Sequence, residues 1–292
     1  MIIEKDAKIS NVVRLRGAGD GPRAVIFAGV HGDEVSGIHA IEKLLFDFFV
    51  GSRELRRGSL TLARGNEQAI AAERRYLKLN LNRMYKEEYP ADIDRSLYEF
   101  KRAQELKSLL HDCDYFFDLH SAPTAGEPFV VVEQFAVPFY AKVGIPRLMT
   151  GWSKFSSGAI GGDGENYANA HGAKSATLES GSHFDKRSND VAYRAIVSFL
   201  TLLEMIQGPP PQQPAALEIV DVYKVVLKEF EDFRYAGIVD NFKFIGKNQP
   251  FAYQNGRPMM VDEDTYLLIP MKPEETKIRE EVCYLGRKVD VA

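Results

Sequence analysis

The sequence predicts an α/β fold followed by a small β-rich C-terminal domain. Short apolar runs rich in β-branched and aromatic residues alternate with longer segments in which apolar residues recur at helical spacing. Several of the short runs are apolar at nearly every position, which is typical of strands buried on both faces of a sheet. The last third of the chain instead contains short strand-like runs separated by turn residues.

Five strands and three helices are expected in the first part of the chain. The strands are RAVIFAGV (residues 23–30), SLTLARG (59–65), DYFFDLHSA (114–122), FVVVEQ (129–134) and SATLESG (175–181). The helices are one that begins near Asp33 or Glu34, one over residues 95–111 and one over residues 188–207. Their apolar faces are expected to cover the sheet.

The stretch GPPPQQP, residues 208–214, marks the expected domain boundary because consecutive prolines cannot continue a helix. We therefore expect one domain over residues 1–207, a linker over 208–214 and a β-rich domain over 215–292. Within that last domain, YQNGRP predicts a hairpin tip, since Asn-Gly is a favoured two-residue turn.

The composition of the 292-residue chain excludes several classes of partner. Lysines and arginines are scattered and the net charge is −4, so no nucleic-acid partner is expected. The chain has neither a signal-peptide pattern nor an apolar run of about 20 residues, which predicts no membrane partner and a cytoplasmic protein. Cys113 and Cys283 are too few for a disulfide framework or a cysteine-based zinc site. A homo-oligomer is compatible with this composition.

The stretch GVHGDEVSG, residues 29–37, places metal-ligand types directly after a predicted buried strand. His31 and Glu34 are three residues apart, so both side chains can point to one spot beyond the strand end. Imidazole and carboxylate are ligands that zinc accepts, and catalytic zinc sites use three protein ligands plus water. A third ligand is therefore required.

His120 is the best third candidate, because it ends another apolar strand and open α/β sheets collect their ligands at such ends. Asp118 precedes it by two residues on the same strand face and is expected to orient the site. Glu179 ends the strand SATLESG, where a carboxylate is hard to explain by packing and fits a general base. The alternative for Glu179 is an exposed strand-end carboxylate.

The remaining histidines are interpreted as structural. His39 falls inside the first helix and His111 ends the second, where a positive charge suits the helix dipole. His171 and His183 lie in glycine-containing loops. The stretch RRYLKLNLNRMY (residues 74–85) contains arginines and asparagines that could pair with a carboxylate, or that could form an ordinary basic loop.

Together these motifs resemble the succinylglutamate desuccinylase and aspartoacylase family, a branch of the zinc carboxypeptidase-like fold. The resemblance rests on GVHGDE, the pair Gly65-Asn66, RYLKLNLNR, DLHSA and LESG, in the order and with the spacing of that family. It covers nearly the whole chain and implies a zinc carboxypeptidase-like mixed sheet flanked by helices.

The resemblance also implies a role for each motif. His31, Glu34 and His120 are expected to bind one Zn²⁺ per chain, and Glu179 to be the catalytic glutamate. The remaining expected roles are oxyanion stabilisation by Arg75 and binding of a substrate carboxylate by Asn82 and Arg83. The family often has Asp-Leu-Asn-Arg where this chain has Asn80-Leu81-Asn82-Arg83, so a carboxylate that would help to hold Arg83 is missing.

The activity implied is hydrolysis of the amide bond of a small N-acyl amino acid by metal-activated water with Glu179 as general base. Two alternatives stay open at this point. One is a zinc carboxypeptidase that acts on peptides, against which the β-rich tail argues, because the corresponding domain in the family narrows the entrance to the site. The other is a non-catalytic binding protein that keeps the fold.

Overall fold

The structure, a computed structural model, describes residues 1–123, 126–155 and 162–290. Most of its strands join one mixed sheet, and three further strands form a small second sheet. The strands are β1 Ile2–Lys5, β2 Val12–Arg16, β3 Gly19–Ala28, β4 Arg57–Arg64, β5 Tyr115–Ala122, β6 Phe129–Val132, β7 Arg147–Thr150, β8 Lys174–Ser182, β9 Glu218–Leu227, β10 Arg234–Tyr235, β11 Lys243–Ile245, β12 Pro250–Gln254, β13 Arg257–Met260, β14 Thr265–Leu268 and β15 Glu281–Val289. The helices are α1 Ser36–Phe49, α2 Glu67–Ala71, α3 Tyr98–Leu110, α4 Val137–Tyr140, α5 Gly164–Ala170 and α6 Arg187–Leu202.

The centre of the large sheet is parallel and determines where side chains from distant segments meet. Its order is β1-β2-β4-β3-β5-β8-β6-β7-β9-β15-β14-β11, and β4, β3, β5 and β8 run in the same direction. The carboxyl ends of these four strands therefore lie along one edge of the sheet, where open α/β folds bind their ligands.

Helices cover both faces of this parallel part. On one face α1 and α6 pack against each other and the sheet, with Leu44 and Phe199 in their common core. On the other face α3 and α5 cover the sheet around Phe27 and Phe116. Strand β5 is buried along nearly its whole length, as its apolar sequence predicts.

All five predicted strands of the first part are present, but two helix boundaries differ from the expectation. The first helix does not begin near Asp33 or Glu34: it begins at Ser36, because a hydrogen-bonded connection precedes it. The third helix ends at Leu202 rather than at residue 207, because Glu204 adopts a left-handed conformation with φ of +55°. The sequence analysis also missed the hairpin β1–β2 and the helix α5.

The C-terminal segment extends the large sheet. Strand β9 runs parallel to β7, and β15, β14 and β11 continue the sheet beyond it. The predicted hairpin tip is confirmed: Asn255 and Gly256 join β12 to β13 with φ of +52° and +67°. The domain boundary expected at residues 208–214 stays a prediction. In the part of the chain that the structure describes, no helix is long and apolar enough to cross a membrane.

Candidate active site

The connection between β3 and α1 carries the first two predicted ligands. Gly29 has a φ of +66°, and a Cβ on Gly32 would lie 2.2 Å from the backbone of Ala69. The two glycines therefore let the chain leave the strand and pass directly against α2. His31 and Glu34 turn inward from this connection, and each is only 2% exposed.

The carboxylate of Glu34 is the centre of the site. Its Oε1 lies 2.7 Å from His31 Nδ1 and accepts a hydrogen bond of 2.9 Å from Arg75. Its Oε2 lies 2.8 Å from His120 Nδ1 and accepts a bond of 3.2 Å from the backbone N–H of Ser121. Burial opposes ionisation, but the two imidazoles bring the pKa of Glu34 well below its usual value. We call His31, Glu34 and His120 the buried cluster.

Asn80 fixes the proton on the ring of His31. Its side-chain oxygen accepts a hydrogen bond of 3.0 Å from the backbone N–H of Asn82 and lies 3.1 Å from His31 Nε2. Since that oxygen is an acceptor, it favours a proton on Nε2 of His31, and in the neutral ring Nδ1 then offers a lone pair to the buried cluster. Burial, and then the charge of Arg75, lowers the pKa of His31 to about 3, which favours the neutral, metal-binding form.

His120 lies between two carboxylates. Its Nδ1 faces Glu34, and its Nε2 is 3.0 Å from Asp118 Oδ2, a close ion-pair contact without hydrogen-bond alignment. Burial would lower the pKa of His120, but Asp118 and Glu34 together raise it well above its usual value. Asp118 thus lies where the sequence analysis expected a residue that orients the site.

The donor set of the buried cluster fits a divalent zinc-like ion. One donor atom from each of its three residues lies within 4.8 Å of the others. The lone pair of neutral His31 Nδ1 faces an ionised carboxylate oxygen, and two such acceptors require a positive charge between them. A metal ion or a second proton on the ring would supply that charge, and two histidines with one glutamate are a known zinc set.

Glu179 lies beside the buried cluster on the neighbouring strand. It pairs with His120 across β5 and β8, so the two side chains share a face of the sheet. Its Oε2 is enclosed and has no hydrogen-bond partner among the described residues. Burial and repulsion by Glu34 raise the pKa of Glu179 to about 8, against the opposing charges of His120 and Arg75.

The residues predicted to bind a substrate carboxylate lie on a 3₁₀ turn, Leu81–Arg83, next to His31. The side-chain oxygen of Asn82 is enclosed without a partner among the described residues, and Arg83 Nη1 donates to the backbone oxygen of Asn82 at 2.8 Å. Asn80 stands where the sequence analysis noted that a carboxylate that would help to hold Arg83 is missing. The side chain of Asn80 instead caps the turn and contacts His31.

One residue near the buried cluster, His183, was not singled out as functional by the sequence analysis. His183, interpreted as a loop residue, lies with its Nδ1 2.7 Å from Ser121 Oγ. It also offers a donor atom within 4.8 Å of Asp33 and Glu34. Its position four residues after Glu179, just beyond the end of β8, is the signal that could have indicated it.

The fold and the site together define a class: an α/β protein with a buried His-Glu-His cluster at the carboxyl edge of a mixed sheet. Residues 20–203 match the family model described as succinylglutamate desuccinylase/aspartoacylase catalytic domain. This match spans more than half of the chain. The chain therefore belongs to the succinylglutamate desuccinylase/aspartoacylase family, as its motifs predicted.

Individual relatives are distant in sequence. The succinylglutamate desuccinylase of Serratia proteamaculans (strain 568) is 27% identical over 226 residues, which cover 72% of this chain and 67% of that protein. That of Vibrio vulnificus (strain YJ016) is 22% identical over 284 residues, or 89% of this chain and 79% of that protein.

Solved structures confirm the predicted fold class. The succinylglutamate desuccinylase of Vibrio parahaemolyticus superposes with a TM-score of 0.78 at 18% identity, and 99% of this chain and 92% of that chain are covered. The ectoine utilization protein EutE (DoeB) of Ruegeria pomeroyi gives 0.70 at 19% identity, with 94% and 88% covered. At these identities the likeness concerns the fold alone.

Proposed function

We propose that this protein is a zinc-dependent hydrolase that cleaves the amide bond of a small N-acyl amino acid. The observation that carries the proposal is the enclosed, unpartnered oxygen of Glu179 on the same sheet face as His120 of the buried cluster. A carboxylate beside a metal-ligand set, with an oxygen free to take a proton, is the arrangement that metal-assisted hydrolysis requires.

One Zn²⁺ per chain is held by His31, Glu34 and His120. When bound, zinc supplies Lewis-acid activation of water and of the amide carbonyl. Asn80 and Asp118 contact the outer nitrogens of the two histidines and orient the rings.

Glu179 acts as general base and then as general acid. Its Oε2 takes a proton from the attacking water and returns it to the leaving nitrogen, so that the carboxyl ends the cycle in its starting form. Arg75 stabilises the negative charge that develops on the carbonyl oxygen. Its guanidinium is half-buried and anchored on Glu34, which supports this placement.

Asn82 and Arg83 bind a carboxylate of the substrate. A planar guanidinium next to an amide can bind a carboxylate through its charge and through paired hydrogen bonds. A neutral ligand would not pair with the charge of Arg83 or with its fork of donors. The names of the relatives support this substrate class, because a succinylglutamate desuccinylase acts on an acylated amino acid.

The compartment and the role of the C-terminal segment belong to the same proposal. Cys113 and Cys283 are both free thiols, which is compatible with a cytoplasmic protein. The C-terminal segment restricts entry to small substrates. This role is supported by the contact of the C-terminal segment with the first part of the chain, where the ring centroid of Tyr284 of β15 lies 4.8 Å from that of Trp152.

The test is hydrolysis of a substrate panel by the zinc-loaded full chain. The panel contains N-acetyl, N-formyl and N-succinyl amino acids, the same compounds as carboxamides, acylated dipeptides and short peptides. We expect turnover of at least one acylated amino acid, with the free acid preferred over its carboxamide and acylated dipeptides hydrolysed poorly. Release of C-terminal residues from peptides would instead indicate a carboxypeptidase. Stoichiometric zinc with no turnover of any compound would indicate a binding protein.

A further inference from the structure

A second group of metal-ligand types lies outside the candidate active site. Glu87, His111 and His171 each offer a donor atom within 4.8 Å of the others, and all three residues are exposed. We call them the surface cluster. They come from three separate segments: Glu87 lies between the 3₁₀ turn and α3, His111 directly follows α3, and His171 directly follows α5.

The tautomer of His171 leaves one nitrogen free for a metal. Its Nδ1 lies 2.8 Å from the backbone oxygen of Tyr167, and because a carbonyl accepts, Nδ1 must carry the proton. In the neutral ring, Nε2 then holds a lone pair. A ring N–H bonded to a backbone carbonyl is the usual arrangement that orients a metal-binding histidine.

That free nitrogen faces a carboxylate. His171 Nε2 lies 3.5 Å from Glu87 Oε1, so two acceptor atoms face each other in the neutral state of the ring. A divalent ion between these two acceptor atoms would be bound by both of them. The distance between His171 Nε2 and Glu87 Oε1 allows both atoms to bind one ion.

The third residue is held in position by its neighbours. The rings of His111 and His171 are stacked with centroids 4.8 Å apart and planes 15° from parallel. The hydroxyl of the buried Tyr167 lies 2.6 Å from His111 Nε2 and limits rotation of that ring. The stack keeps His111 beside His171, but imidazole lone pairs lie in the ring plane, so one of the two rings must turn out of the stack for both to bind the same ion.

One nearby cation, the ammonium of Lys107, lowers the affinity of the surface cluster for a metal ion. Lys107 donates to the backbone oxygen of Lys86, and its ammonium lies 3.9 Å from Glu87 Oε2 and above the ring of Tyr167. Its charge is partly compensated by the carboxylate oxygen that does not face His171. It repels a second cation, so we expect micromolar rather than nanomolar affinity.

We propose that Glu87, His111 and His171 bind a second divalent transition-metal ion of the zinc class. Two histidines and one carboxylate, with water completing the shell, form a zinc donor set. The ion would join the ends of α3 and α5 to the segment that follows Asn82 and Arg83. This site is independent of the ion assigned to the buried cluster and does not require that the chain be a hydrolase.

The experiment measures zinc per chain by elemental analysis after equilibrium dialysis against buffered Zn²⁺ at pH 7.5, over a range that ends at about 100 μM. We expect two ions per wild-type chain. His171→Ala, His111→Ala and Glu87→Gln should each bind one, and a tenfold or greater loss of affinity for the weaker ion should be visible in each titration.

Matched controls separate the two sites. Glu88→Gln changes the exposed neighbour of Glu87, and His39→Ala removes another exposed histidine beside a glutamate; both should still bind two ions. His31→Ala should lose the ion of the buried cluster and keep the surface one. A wild-type chain that binds no second ion, or a His171→Ala chain that keeps it, would overturn the proposal.

Discussion

The side-chain oxygen of Asn80 lies 3.1 Å from Nε2 of His31 and accepts a hydrogen bond from the backbone of Asn82 at the same time. One amide therefore joins the turn that carries the expected substrate-binding residues to a residue of the buried cluster. Because Asn80 is an amide, this chain orients His31 with a neutral acceptor.

The first prediction concerns this contact. Asn80→Ala removes the acceptor of the His31 proton and should weaken zinc binding by about 10- to 100-fold, as loss of such outer partners commonly does. Asn80→Asp should bind zinc at least as tightly as the wild type, because a carboxylate increases the basicity of the ring. Competition with a chromogenic chelator measures both. Asn82→Ala is the control: it changes the same turn without contacting His31 and should keep zinc affinity.

The second prediction concerns the three expected ligands. After gel filtration in metal-free buffer, which removes the weaker ion of the surface cluster, His31→Ala, Glu34→Ala and His120→Ala should each retain less than about a tenth of an equivalent of zinc, because two remaining ligands chelate weakly. Far-UV circular dichroism should stay close to that of the wild type. Elemental analysis after gel filtration gives the metal content, with His39→Ala as a surface control. Stoichiometric zinc in His120→Ala would remove His120 from the ligand set.

The third prediction separates metal binding from proton transfer. Glu179→Gln is nearly isosteric and should retain zinc, while kcat on the best acylated amino acid falls by at least about 10²-fold. Glu42→Gln, an exposed change on α1, should leave both quantities unchanged. Near-normal turnover of Glu179→Gln would require a different general base.

The parallel strands of the site could be predicted from sequence because burial on both faces leaves a simple apolar signature. The expected meeting of His31, Glu34 and His120 followed from strand ends that share an edge of the sheet. The structure places these three side chains together, although the first helix begins at Ser36 rather than near Glu34. The meeting of these three side chains depends on the turn at Gly29 and Gly32. The wrong helix boundary therefore did not affect this prediction.

Other contacts left no local signal in the sequence. Asn80 and His31 are 49 residues apart and meet through a one-turn 3₁₀ segment, which has no hydrophobic period to reveal its direction. His171 and Glu87 likewise meet only because α5 packs beside α3, and α5 was not predicted. The pairing of β7 with β9 is equally non-local, since a proline-rich stretch before β9 looks like a boundary whether or not the sheet continues beyond it.

The fourth prediction concerns recognition of a substrate carboxylate. Arg83→Ala should raise KM for the free acid by about 30-fold or more, since truncating one partner of a buried charge pair costs ~2–5 kcal/mol. It should change KM for the carboxamide analogue far less, so the preference for the acid disappears. The control Arg74→Ala, which removes an exposed arginine of the same stretch 74–85, should keep that preference. Equal losses on acid and carboxamide would show that Arg83 does not bind the carboxylate.

The fifth prediction concerns the hydrogen bonds of Arg102, which hold the end of β4 next to the site. The guanidinium of Arg102, 2% exposed, donates to the backbone oxygens of Ser10, Arg64 and Gly65. The chain after β4 in turn pairs with the end of β3 and the connection that carries His31: Gly65 N–H donates to the Ala28 oxygen and Asn66 N–H to the Gly29 oxygen, both at 2.8 Å.

Arg102→Met keeps the aliphatic volume but leaves these buried carbonyls without their donor, so the free energy of unfolding should fall by about 3–5 kcal/mol. Lys101→Met, one position away on the exposed face of α3, should change it by less than about 0.5 kcal/mol. Urea denaturation followed by fluorescence measures both variants. A loss no larger than that of Lys101→Met would mean that water replaces the guanidinium, and that the strand end does not depend on α3.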